Sequence, residues 1–96
     1  MIRIVKMSFK PESVDTFLEI FNQTKELIRA FNGCRGLELY RDINKTNILF
    51  TNSEWVDEQS LENYRQSELF KNTWAITKEL FEAKAEAWSV ESEWKG

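Results

Sequence analysis

Apolar and polar residues change period several times along the chain, and each change marks an element. Residues 2 to 9, IRIVKMSF, partly alternate and are rich in β-formers, which predicts a strand. Pro11 suits the first turn of a helix, with Glu12 near its positive end. Val14, Phe17, Leu18, Phe21, Leu27, Ile28 and Phe31 then recur at steps of three and four, an amphipathic helix over about 12 to 31. Asn32-Gly33 stops it, Gly33 being suited to a left-handed cap. Residues 35 to 43 and 48 to 55 read as strands joined through the turn Asn44-Lys45-Thr46-Asn47, hence as a hairpin. Asp57 is positioned to cap a helix from near Glu58, with Leu61 and Tyr64 on its inner face. Ser67 is positioned to cap a second segment whose stripe is Phe70, Thr73, Trp74, Thr77, Leu80 and Phe81. Residues 84 to 92 read either as an extension of that helix or as a strand, and the strand is favoured because Trp88, Ser89 and Val90 suit a pleat; Trp94 to Gly96 form a tail.

The order is β-α-β-β-α-β, which predicts an α+β fold of the ferredoxin-like type: a four-stranded antiparallel sheet with helices on one face, in a single domain over residues 1–96. The strands, however, carry apolar residues on both faces. Ile2 and Ile4 oppose Val5, Met7 and Phe9; Ile48 and Phe50 oppose Leu49 and Trp55. One chain's helices cover one face, so a second copy packed sheet to sheet is expected to cover the other, as a homodimer with Trp88 and Val90 in the contact.

Composition sharpens this. Seven Phe, four Trp and two Tyr are a heavy aromatic load for a chain of 96 residues, and fit burial against a partner chain. The net charge of −3 and the lack of a basic patch argue against nucleic acid. No apolar run approaches a membrane span, and Arg3 and Lys6 interrupt the N-terminal pattern where a signal peptide would be continuous. A single cysteine, Cys34, fits a reducing cytoplasm.

The order of elements, the junction FTNSEWVDEQSLENYRQSELFK and the C-terminal AEAWSV resemble the antibiotic biosynthesis monooxygenase family of dimeric α/β-barrel proteins. The resemblance spans essentially the whole chain. It is most specific at Trp55, Asp57, Ser60, Leu61, Tyr64, Ser67 and Phe70. The family includes cofactor-independent oxygenases of quinols and polyphenols, heme-degrading enzymes, degraders of signal molecules and members of no known activity. It implies a monooxygenase acting on a small aromatic substrate with molecular oxygen and no bound cofactor. Two departures qualify that. The asparagine that the oxygenases carry four residues before the tryptophan is Thr51 here, and Asn52, three before, points to the other face of the strand unless a bulge intervenes. The histidine that many members carry is Tyr64 here. The heme-degrading branch is set aside, because its histidine and asparagine positions match Trp74 and Met7.

With no histidine and one cysteine, the common soft-metal sites cannot be assembled within one chain, and there is no phosphate loop or nucleotide fingerprint. A deprotonated quinol can still reduce oxygen itself. The protein need only hold the ring, exclude water and stabilise charge with hydrogen bonds. Trp55 and Tyr64 are the candidate catalytic pair, donating through an indole nitrogen and a hydroxyl. Thr51, Asn52 and Trp74 are the candidate substrate contacts, and a buried Glu38 would serve as proton acceptor. Packing competes for each of these residues: Trp55 at a strand–helix junction, Tyr64 on an inner helix face, Trp74 on an apolar stripe, and Asn52 as a structural hydrogen bond. Arg65 and Lys71 read as a solvated helix face, and Cys34 as a silent thiol. The alternatives to an enzyme are a non-catalytic ligand-binding or stress-related dimer and a purely structural interaction module. A roomy pocket at Trp55, Tyr64 and Trp74 separates the first of these from the second.

Overall fold

A computed structural model describes all 96 residues. Strand β1 (Ile2–Ser8) leads through a 3-10 turn at Pro11–Ser13 into helix α1 (Val14–Arg29). Strands β2 (Cys34–Arg41) and β3 (Ile48–Trp55) follow, then helices α2 (Glu58–Arg65) and α3 (Glu68–Lys78), and strand β4 (Glu86–Val90). The sheet runs β2-β3-β1-β4 with every neighbouring pair antiparallel, the expected ferredoxin-like arrangement. No helix is long and apolar enough to cross a membrane.

Local chemistry sets the boundaries. The Asp57 carboxylate accepts the Ser60 N–H at 2.8 Å and starts α2. The Ser67 hydroxyl accepts the Phe70 N–H at 3.1 Å and donates to the Tyr64 carbonyl at 2.6 Å. One serine therefore ends α2 and caps α3, and the two helices meet at an angle rather than fusing. Between β2 and β3 the Asp42 carboxylate accepts the N–H groups of Asn44 and Lys45, both at 2.8 Å, so the turn starts two residues before Asn44.

Gly33 is where only glycine fits. Its φ is +90°, and a Cβ there would run into the Ser60 side chain. Its carbonyl accepts the Val56 N–H at 2.8 Å, which ties the end of α1 to the start of α2.

Several expected boundaries shift: the helix expected over 12 to 31 starts at Val14 after the 3-10 turn and ends at Arg29, and the strand expected over 35 to 43 is Cys34–Arg41. Helix α3 stops at Lys78, so Leu80 and Phe81 lie beyond it. The Leu80 N–H turns back to the Thr77 carbonyl at 3.0 Å, and the Glu82 N–H reaches the Ser8 carbonyl at 2.9 Å. Docking against β1 therefore takes over from helical periodicity. Phe81 forms an isolated bridge with Phe9, which stands just past β1. Strand β4 is shorter than expected, ending at Val90, because its pairing with β1 begins at Ile2.

Alternation divides the sheet faces. Met7, Leu49 and Trp55 are buried under the helices, with Val5, Thr51 and Ser53 on the same side. The other face carries Ile2, Ile4, Phe50, Asn52, Trp88 and Val90 in adjoining rows. Trp88 there is 45% exposed and Tyr40 42%. Under the helices the buried residues form two separate clusters. One is Met7, Phe9, Val14, Phe17 and Leu49; the other is Cys34, Trp55 and Leu61.

Candidate functional site

The space between the two clusters is a cavity of about 460 Å³. Its floor is the inward face of β1 and β3: Arg3, Val5 and Met7 beside Thr51 and Ser53. Helix α1 supplies one wall through Phe17, Phe21 and Ile28. Helices α2 and α3 supply the other through Leu61, Tyr64, Phe70 and Trp74. These positions follow from the helical stripes, whose inner residues face the sheet.

The aromatic rings form one unbroken ladder around this space. Trp55 stacks on Tyr64 at 5.1 Å, Tyr64 meets Phe70 edge-on at 5.2 Å, and Phe70 stacks on Trp74 at 5.9 Å. The ladder continues through Phe81 and Phe9 to Phe17, the last pair stacked at 4.4 Å. Of these rings Tyr64, Phe70, Trp74 and Phe17 line the cavity, and the others pack behind them.

The structure sorts the expected site residues. Thr51, Tyr64 and Trp74 come together on the cavity wall. Trp55 does not: it is 1% exposed, and its indole N–H donates to Ser53 Oγ at 2.9 Å. Its polar handle is spent inside the protein, and its ring supports Tyr64 from behind. Asn52 is a correction to the expected contact. The pairing of β3 with β1 runs without a bulge from Ile2–Glu54 to Ser8–Ile48, so Asn52 stands on the far face opposite Ile4 and Glu38. Glu38 is likewise exposed on that far face and is not a buried acceptor. The register shift in the sheet lies in β2, between Cys34 and Gly36, where it does not alter β3.

The polar lining is sparse. The hydroxyls of Thr24 and Thr77 donate to the carbonyls of Ile20 and Thr73 one turn earlier, at 2.9 and 2.8 Å. Those of Thr51, Thr73 and Tyr64 make no side-chain hydrogen bond within the protein, yet none is sealed from the cavity space. They are the donors a ligand would meet. Burial, and secondarily the nearby Cys34 thiol, pushes the Tyr64 hydroxyl up to about 12. It stays protonated at neutral pH and is a donor, not a base.

Two charged residues complete the lining, Arg3 and Arg65, and no carboxylate joins them. The sequence reading gives no role to Arg3; Arg65, expected on a solvated helix face, is exposed as expected and also reaches the cavity lining. The signal was present: Arg3 shares its strand face with Val5, Met7 and Phe9, and a lone charge on an inward face is costly unless it serves something. No group of His, Cys, Asp and Glu side chains stands together at metal-binding spacing.

The sequence model for antibiotic biosynthesis monooxygenase matches residues 1–75. Among solved structures, a conserved protein from Methanosarcina mazei is similar at 30% identity with a TM-score of 0.84, over 90% of this chain and 86% of that one. A structure described as an antibiotic biosynthesis monooxygenase aligns at 18% identity and a TM-score of 0.88, over 96% and 98% of the two chains. A Mycobacterium tuberculosis protein aligns at 19% identity and 0.83, over 96% and 95%. These last two show the shared fold. No curated protein matches the sequence.

Proposed function

The chain belongs to the antibiotic biosynthesis monooxygenase family, and on that premise we propose that its cavity takes up a small aromatic quinol or polyphenol and oxygenates it without a bound cofactor. The observation that carries this reading is the cavity itself: about 460 Å³ of ring-lined space whose lining includes Thr51, Thr73 and Tyr64, with hydroxyls that no side chain of the protein engages. Such a space suits a flat, electron-rich ring, which supplies all four electrons. One oxygen atom enters the product and the other leaves as water. The protein's part is to hold the ring, exclude bulk water and donate hydrogen bonds to the charge that develops on oxygen. Tyr64 does this as a permanent donor. Trp55 acts through Tyr64 and Ser53, by stacking and hydrogen bonding, rather than by touching the ligand.

The working unit in this reading is a homodimer. The row Glu38–Asn52–Ile4–Trp88 and its neighbours Phe50 and Val90 form a sheet face that no helix of the same chain covers. A second copy with the same face covers it by two-fold symmetry. A free buried Cys34 suits the reducing cytoplasm as its location.

A second reading has its own observation. Neither a carboxylate nor a histidine lines the cavity, so a substrate proton has only solvent to go to. That favours a dimer of the same fold that binds the aromatic molecule without transforming it. Oxygen uptake by metal-stripped protein with a panel of hydroquinones and anthrones separates the two. The oxygenase reading expects uptake above the autoxidation blank, lowered on the order of 10²-fold in Tyr64→Phe if that donor meets the developing oxyanion. Calorimetric binding of the same compounds with no uptake would leave only the binding dimer.

A further inference from the structure

The charges around the cavity are not distributed as the chain's composition would have them. The protein carries a net charge of −3, yet the cavity's only charged lining residues are two arginines. Arg3 projects from the inward face of β1, flanked across the sheet by Ser53 on β3 and Ser89 on β4. Its Nη1 donates to Ser89 Oγ at 3.0 Å, which fixes the guanidinium and leaves its other N–H groups undirected by any side chain. It has no carboxylate partner. Burial, and then the neighbouring Arg65, lowers its pKa, so Arg3 is held where a second cation opposes it. An arginine in that position keeps its charge and gains from any anion that arrives.

The two arginines also mark the cavity's mouth. They line both the cavity and a polar surface cleft outside it, which adds Glu58, Gln59 and Glu62. Glu62 pairs with Arg65 at 3.2 Å from the outer side. The acids thus line the outer cleft and not the cavity. Of the two cations, Arg3 is the one left unneutralised.

We propose that the cavity selects an organic acid: an apolar, ring-sized body seated among the aromatic side chains, and an ionised carboxylate- or sulfonate-like group held at Arg3 with Arg65 beside it. This rests on the cavity being a ligand site and narrows what the ligand is. The geometry matches the usual division of labour in small-molecule sites, where apolar walls give affinity and a few charged donors fix orientation.

The test compares two fluorescent probes with the same skeleton, 1-anilinonaphthalene-8-sulfonate and its uncharged parent N-phenyl-1-naphthylamine. Both are titrated into wild type, Arg3→Met, Arg3→Lys and the cavity-filling Thr51→Phe, each first checked for a cooperative thermal melt. Wild type is expected to bind the sulfonate about tenfold more tightly than the neutral probe, equivalent to about 1.4 kcal/mol. Added salt should shrink that gap. Arg3→Met should abolish the gap while leaving the neutral probe within about twofold, Arg3→Lys should restore part of it, and Thr51→Phe should block both probes. Equal binding of the two probes by wild type, or equal weakening of both by Arg3→Met, overturns the acid preference and leaves the ligand site standing. Failure of both probes to bind, or binding unaffected by Thr51→Phe, overturns the ligand site and the preference with it.

Discussion

The Trp55–Ser53 hydrogen bond decides whether Trp55 is a support or a ligand contact, and a double-mutant cycle measures it. The indole N–H donates to Ser53 Oγ at 2.9 Å, with Trp55 1% and Ser53 8% exposed. Ser53→Ala removes the acceptor and leaves the N–H facing apolar neighbours, since the ring packs against Phe31, Leu61 and Tyr64. An unsatisfied buried donor costs about 1–3 kcal/mol. Trp55→Phe also loses ring volume, so its cost is larger and is not attributable to the hydrogen bond alone. The double variant lacks both partners, and the coupling between the two changes should be about 1 kcal/mol. Against the about 5–15 kcal/mol typical of a whole domain, Ser53→Ala alone is a large effect, worth a fall of roughly 4–24 °C in melting temperature. Urea unfolding of the four proteins at one fixed concentration reads all the terms. A loss below about 0.5 kcal/mol for Ser53→Ala, with additive changes in the double variant, would refute the reasoning. It would mean that the indole finds another acceptor on the cavity side and that Trp55 is within a ligand's reach.

Two further outcomes follow from the same structure. Tyr64 ionises at about 12 in the fold against about 10 in an unfolded chain, so its burial stabilises the fold fully below pH about 10, and that contribution is lost as pH rises towards 12. Urea midpoints for wild type should therefore fall more steeply between these values than those of Tyr64→Phe, and parallel slopes would remove the assigned burial. On the uncovered sheet face, Trp88→Lys places a charge where the proposed partner packs. Sedimentation should show wild type at twice 11.4 kDa and the variant shifted towards the monomer at micromolar concentration; a wild-type particle of 11.4 kDa would sink the dimer.

Periodicity alone reaches far into this protein, because its signals are local. The threes and fours from Val14 to Ile28 and the caps at Asp57 and Ser67 each depend on a few residues and their own backbone, and each stands where the pattern puts it; Gly33 takes the left-handed conformation, but the helix already ends at Arg29 with its cap at Ala30. The two-faced strands are legible for the same reason, since alternation needs no partner to be read. Alternation also sets Asn52 apart from Thr51, whereas only the unbroken β1–β3 register shows that no bulge undoes it. What the chain's order does not convey is which inward residues touch. Trp55 and Tyr64 look equivalent along the sequence, but one is sealed against Ser53 and the other opens to the cavity, because that depends on where α2 crosses the end of β3. Helix α3 ends before its apolar stripe does, because Phe81 is claimed by Phe9, a residue far away in sequence. Arg3 and Arg65 come from opposite parts of the chain and meet at one opening only when the helices fold over the sheet. Local propensity writes elements, whereas a cavity is the space that several distant elements leave between them, and its shape and charge exist only once they pack.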